Sequence, residues 1–259
     1  MNSLKGRDLL TLADLTKEEI QEILKTSGSI KSDFKAGNHI HPYLAGKTVV
    51  LIFQKPSTRT RVSFDTGVYQ LGGHPITLGW NELQLGRGET VADTARTLDR
   101  YADGIVARVF KHSDLEVMAE CSRAPVINAL SDAAHPCQAL GDCLTIIEKK
   151  GRIEGVNVVF VGDGNSNVCR SLTEAVLKLG GRMTIASPKK YMPPDSFIGG
   201  LGIGRASLTL TEDHLGAVKE ADVVYTDVWV SMGQEAEAQE RVASLGPYQL
   251  NSDLMARAP

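Results

Sequence analysis

The sequence predicts an α/β chain of two doubly wound, open parallel-sheet domains joined by a bridging helix. Three observations carry this. Short apolar strands alternate with amphipathic helices from Lys47 onward, which calls for helical crossovers between parallel strands. The alternation pauses at a long helical pattern, Pro136 to Lys150, and restarts after Gly151. The 259 residues, 42% hydrophobic, suffice for about one and a half to two domains. One domain is therefore expected over residues 1–150, bridging helix included, and a second over residues 151–259.

Each element has its own local reason. Leu15 to Leu24 reads as a helix, with Thr16 as N-cap and Glu19 closing a capping box. Lys47 to Gln54 is a buried strand. Ser57 to Leu71 is a helix whose Phe64, Val68 and Leu71 share a face and which Gly72-Gly73 stops. Ile76 to Leu78 is a short strand and Asn81 to Glu89 a loop. The helix Thr90 to Tyr101, the strand Gly104 to Val109, the helix Asp114 to Ala119 and the strand Pro125 to Asn128 follow. Pro136 suits a first helical position, and Leu140, Leu144 and Ile147 line one face of the bridging helix. Beyond it come a strand at Val156 to Val161, a helix at Val168 to Leu179, a strand at Met183 to Ala186, a helix at Leu215 to Glu220 and a third strand at Asp222 to Thr226.

Composition excludes several classes. Lys and Arg total 28 against 31 Asp and Glu, so the net charge of −3 offers no footprint for nucleic acid or an anionic membrane. No apolar run approaches the ~20 residues of a membrane helix, and the mixed, charged N-terminus carries no visible secretory signal. Cys121, Cys137, Cys143 and Cys169 form no C-x-x-C pair and have no zinc-like spacing with histidine. Reduced cysteines in a cytoplasmic protein, with no metal, are the expectation.

The densest chemical signal is Ser57-Thr58-Arg59-Thr60-Arg61, directly after a strand and opening a helix. A helix N-terminus presents free N–H groups and partial positive charge to an anion. Three hydroxyls and two guanidiniums within five residues add donors suited to phosphate oxygens. Capping by Ser57 or Thr58 with solvated arginines is the alternative, but a cap uses only one hydroxyl. Arg108, ending an otherwise apolar strand, and His135-Pro136-Cys137-Gln138, opening the bridging helix, fall where open α/β sheets bind ligands. Cys137 can also be read as a nucleophile activated by His135 and the helix start, but no third residue in the local sequence orients the pair as a triad would. Gly162-Asp163-Gly164-Asn165-Ser166-Asn167 also follows a strand. It lacks the third glycine of a dinucleotide fingerprint, and no acidic residue ends the next strand.

Taken in order, Ser57 to Arg61, Arg108 and His135 to Gln138 resemble the carbamoyl-phosphate site of the aspartate and ornithine carbamoyltransferases. Gln84-Leu-Gly-Arg-Gly-Glu-Thr90 with Asp93-Thr-Ala-Arg96 resembles that family's loop into a neighbouring subunit. The resemblance implies that Ser57, Thr58, Arg59 and Thr60 cradle the phosphate. It implies that Arg108 bridges phosphate and carbonyl oxygen, that His135 polarises the carbonyl with Thr60 and Arg108, and that Gln138 holds the carbamoyl amide. Gln84 would serve the adjacent protomer of a homotrimer or a multiple of trimers. Asn167 and Asp227-Val-Trp-Val-Ser-Met-Gly233 resemble the ornithine-binding elements. Asn167 would then meet the α-carboxylate, Asp227 and Ser231 the α-ammonium, and Met232 would contribute backbone. No basic cluster follows Asp227 to hold a second acceptor carboxylate, which favours ornithine over aspartate.

The implied reaction joins carbamoyl phosphate and L-ornithine into citrulline and phosphate without a cofactor. Open beside it stand a relative acting on putrescine or a modified ornithine, and a non-catalytic carbamoyl-phosphate binder. The chain stops at Pro259, before the family's last strand and its His-Cys-Leu-Pro motif, so an uncovered edge is expected in the second sheet.

Overall fold

A computed structural model describes residues 4–202, 207–230 and 234–259. The chain forms two units. The first comprises residues 1–14 and 22–137, the second residues 15–21 and 138–259.

The sheet of the first unit holds β1 (Thr48–Phe53), β2 (His74–Gly79), β3 (Gly104–Arg108) and β4 (Val126–Leu130) in the order β2-β1-β3-β4. All its strand pairs are parallel. Strands β1 and β3 are buried on both faces, which explains their unbroken apolar sequences. Val50 and Ile52 of β1 join Ile105 and Ala107 of β3 on one face, packed with Leu115 and Met118. Leu51 and Phe53 join Val106 and Ala129 on the other, packed with Phe64. Helix α2 (Thr58–Gln70) supplies Phe64, and Gly72, at φ +82°, follows its end in the left-handed conformation that a side chain disfavours. Helices α3 (Val91–Leu98) and α4 (His112–Cys121) make the remaining crossovers. The expected loop Asn81 to Glu89 contains 3₁₀ turns at Trp80–Glu82 and Gln84–Arg87.

Helix α1 (Lys17–Lys35) extends well past the predicted end at Leu24. Its start is as expected: Thr16 Oγ1 accepts from the Glu19 N–H at 3.2 Å, and Glu19 Oε2 accepts from the Thr16 N–H at 2.9 Å. The Thr26-Ser27-Gly28-Ser29 run, poor in helix propensity, does not break the backbone ladder.

In the second unit β5 (Asn157–Val161), β6 (Arg182–Ala186), β7 (Leu208–Thr211) and β8 (Val223–Tyr225) form a parallel sheet in the order β7-β6-β5-β8. Helix α5 (Pro136–Lys150) begins at the expected proline, and α6 (Asn167–Lys178) buries Leu172, Ala175 and Val176. Neither β7 nor α7 (Asp195–Gly200) is among the elements the sequence predicts. β7 is only four residues long and half-exposed at the sheet edge, so it lacks the apolar run that marks β5. Helix α8 (His214–Ala217) runs on into a 3₁₀ turn, and α9 (Ala238–Leu245) and α10 (Ser252–Met255) complete the unit. Tyr248 and Leu254 pack against Val159 and Val161. Among the described residues no helix is long and apolar enough to cross a membrane, and no disulfide joins the four cysteines.

Candidate active site

Parallel pairing sets the C-terminal ends of β1 and β3 side by side, with Phe53 opposite Arg108. The chain leaving β1 reaches α2 within a few residues. The Gln54 N–H donates to the Arg108 carbonyl at 2.9 Å, and the Gln54 side chain accepts from the Phe110 N–H. These bonds tie the two strand ends together. The register between β3 and β4 shifts between Ala107 and Arg108, so Arg108 lies opposite Leu130. Such an irregularity re-aims a terminal side chain.

Ser57 is the N-cap residue of α2, in extended conformation at φ −152°, and its hydroxyl makes no capping bond. The capping alternative therefore does not account for Ser57. Thr58, Arg59 and Arg61 are exposed on the first turns, and Thr60 is half-buried. Arg108 Nη1 donates to Thr60 Oγ1 at 3.1 Å. Arg108 Nε is buried and, among the described residues, has no hydrogen-bond partner. Burial and the neighbouring Arg59 cation both pull the Arg108 pKa down. Among the described residues no carboxylate pairs with Arg59, Arg61 or Arg108. One oxyanion placed here would offset the two crowded cations and give the buried donor an acceptor.

His135 is buried, and its pKa is pushed down to about 4, first by burial and then by the Arg108 cation. It is a neutral imidazole near pH 7, able to donate one N–H without adding a third charge. The turn before it is fixed from inside. Asn128 Nδ2 donates to the Leu10 and Ala134 carbonyls at 2.9 and 3.2 Å. Ser131 Oγ accepts from the Ala134 N–H at 3.2 Å and lies 2.8 Å from His112 Nδ1. Cys137 does not fit a nucleophile. The residue is half-buried, with its thiol turned onto the Asn128 carbonyl, and desolvation pushes its pKa up to about 12. The expected activation by the helix start is outweighed by desolvation.

Gln84 is exposed in its 3₁₀ turn and, among the described residues, makes no hydrogen bond with the Ser57–Arg61 segment. Gln138 stands on α5, with Nε2 donating to Asp142 Oδ1 at 3.0 Å. Asp142 Oδ2 also accepts from the Tyr225 hydroxyl at 2.9 Å. Neither Asp142 nor Tyr225 was singled out in the sequence, although Gln138 and Asp142 are four residues apart on one helical face.

In the second unit the Gly162–Asn167 turn is built for tight packing. A Cβ on Gly164 would fall 2.6 Å from Ile185 Cγ2 and 3.2 Å from the Tyr191 carbonyl oxygen. Asp163 is buried and accepts from Arg241 Nη1 at 2.7 Å. The same nitrogen donates to the Trp229 carbonyl at 3.2 Å, and the guanidinium lies over the Tyr191 ring at 5.0 Å. This carboxylate thus anchors a loop. Ser166 caps α6, its hydroxyl accepting from the Cys169 N–H, and Asn167 is the first helical residue, half-buried. Asp227 follows β8, half-buried, its pKa raised by burial and by Asp163 despite a hydrogen bond from the Val228 N–H. Asp142 is likewise raised, by burial and by Asp227. Asp142 is held by Gln138 and Tyr225, so Asp227 is the carboxylate left to favour a cationic group. Ser231 and Met232 lie outside the described residues.

Comparison with known proteins agrees across the chain. Residues 7–148 match the carbamoyl-P binding domain of aspartate/ornithine carbamoyltransferase, and residues 154–259 match its Asp/Orn binding domain. The ornithine carbamoyltransferase of Thermococcus kodakarensis is 54% identical over 99% of this chain and 82% of its own length. That of Bacillus subtilis is 50% identical over 99% and 80%. The solved structure of ornithine carbamoyltransferase from Pyrococcus furiosus matches with a TM-score of 0.92 at 52% identity, covering 100% of this chain and 83% of that one. The chain belongs to the aspartate/ornithine carbamoyltransferase family.

Proposed function

We infer that the chain transfers the carbamoyl group of carbamoyl phosphate to the side-chain amine of L-ornithine, giving citrulline and phosphate in arginine metabolism. The observation that carries this is the Thr60–Arg108 pair, with its buried, unsatisfied guanidinium nitrogen beside Arg59. Relatives at 50–54% identity that bear the ornithine name support the choice of acceptor.

In this reading Ser57, Thr58, Arg59 and Thr60 bind the phosphate. Arg108 and neutral His135 face the carbonyl oxygen, and Gln138 takes the carbamoyl amide. The uncharged δ-amine of ornithine attacks the carbamoyl carbon, and negative charge grows on the carbonyl oxygen. Fixed donors from Thr60, Arg108 and His135 stabilise that charge more than the ground state. The carbon–oxygen bond to phosphate then breaks, and the proton lost by the attacking nitrogen ends on the departing phosphate. Asp227 and Ser231 hold the α-ammonium, Asn167 the α-carboxylate, and Met232 contributes backbone. The residues at 1–150 serve the donor and those at 151–259 the acceptor. Gln84 serves a neighbouring protomer, within a cytoplasmic homotrimer or a multiple of it.

Rates with ornithine, putrescine, aspartate and acetylornithine test the reading. Ornithine is expected to have the highest kcat/KM. Carbamoylation of aspartate alone would overturn the acceptor assignment, and binding of carbamoyl phosphate without turnover on any amine would favour a binding protein.

A further inference from the structure

The Gln138 side chain must face the carbamoyl NH₂ group with an acceptor, because that group only donates. A primary amide can present either its oxygen or its nitrogen, and the two orientations fill nearly the same space. What decides between them is the neighbour on the other side. Here that neighbour is a carboxylate: Gln138 Nε2 donates to Asp142 Oδ1 at 3.0 Å. The other carboxylate oxygen is held by the Tyr225 hydroxyl at 2.9 Å. An ionised carboxylate only accepts, so it binds the amide nitrogen and turns Oε1 outward. Among the described residues that oxygen has no protein partner.

We propose that Asp142, fixed by Tyr225, is a positioning residue that sets the orientation of the Gln138 amide and so its selectivity for the donating NH₂ of the carbamoyl group. The proposal rests on the role assigned to Gln138 above. Asp142 does not touch substrate in this account. It acts through the polarity of a three-member chain, in which Tyr225 O–H and Gln138 N–H both point at one carboxylate.

The polarity can be inverted and restored. In D142N the new amide oxygen pairs with the Tyr225 hydroxyl, and its NH₂ faces residue 138. Gln138 then turns and opposes substrate N–H with its own. In the double variant D142N/Q138E, the acid at 138 accepts from both sides. Steady-state citrulline formation with D142N should show kcat at least about 10-fold down, with a raised KM for carbamoyl phosphate and an unchanged KM for ornithine. Q138E alone sets two carboxylates together and should also lose activity. D142N/Q138E should recover at least about 10-fold over D142N. A merely structural role predicts no such rescue, and a double variant no better than D142N would overturn the proposal. So would native kcat in D142N while Q138A is impaired. Native kcat and carbamoyl phosphate affinity in Q138A would instead remove the underlying role of Gln138. If D142N loses its cooperative thermal transition, Y225F carries the test. A kcat loss of about 2–5-fold at unchanged ornithine KM then supports the proposal, and native kcat overturns it.

Discussion

Arg108 at the end of one strand donates to Thr60 in the first turn of a helix, Nη1 to Oγ1 at 3.1 Å, across 48 residues of sequence. Arg108 Nε is buried and, among the described residues, unsatisfied, and the bond at Nη1 joins a hydroxyl and a guanidinium in one donor surface. Thr60→Val keeps the shape and removes the acceptor. Carbamoyl phosphate affinity, measured by calorimetry, should fall about 10–100-fold, and Thr60→Ser should retain most of it.

Arg59 is exposed and unpaired among the described residues, and its charge depresses the neighbouring Arg108. Such a cation costs stability and is retained where an anion binds. Arg59→Ala should weaken carbamoyl phosphate on the order of 100-fold while leaving the melting temperature unchanged or raised. Unchanged affinity would remove the phosphate assignment.

The folded-state pKa of His135 is about 4, below its ordinary value of 6.5. Between these values the unfolded chain holds more protons than the native one, so native stability rises with pH across that window. The contribution is complete above about pH 6.5 and is lost as pH falls towards 4, where ~3 kcal/mol has gone. Urea denaturation of the parent and of His135→Gln from pH 4 to 7 should show a flatter profile in the variant. NMR of the ring should find His135 neutral at pH 6.

Cys137 should be inert. With its thiol pushed up to about 12, the thiolate fraction at pH 8 is roughly 10⁻⁴. Iodoacetamide followed by peptide mapping should leave Cys137 unmodified in the native chain, and Cys137→Ala should keep citrulline formation. Rapid alkylation with matching inactivation would contradict the burial.

Arg241 and Asp163 form a buried pair at 2.7 Å that also holds the Trp229 carbonyl. Arg241→Met leaves a buried carboxylate unpaired and should cost about 3–5 kcal/mol in chemical denaturation. Arg241→Met combined with Asp163→Asn should recover a good part of that loss.

Much of this was legible in the residues. Continuous apolar runs such as Thr48–Phe53 and Asn157–Val161 announce parallel strands because both of their faces are buried. Pro136 and the Thr16/Glu19 box mark helix starts because their backbone chemistry is local. The Ser57–Arg61 cluster is local too. Strand β7 was not legible, since its four residues owe their conformation to pairing with β6. The end of α1 was misread because propensity is a weak prior against the rest of a helix ladder. The Asp163–Arg241 pair joins residues 78 apart, and Tyr225 meets Asp142 across 83, so no spacing rule could reveal either. Gln138 and Asp142 were within reach, being four apart on a helix.

Carbamoyl phosphate labelled with ¹³C at the carbonyl, mixed with ornithine and the intact chain and followed by ¹³C NMR, tests the central claim most directly. The label should move into the ureido carbon of citrulline, with one phosphate released per citrulline formed. Label that remains in carbamoyl phosphate and its spontaneous breakdown products, at the rate seen without protein, would contradict the account.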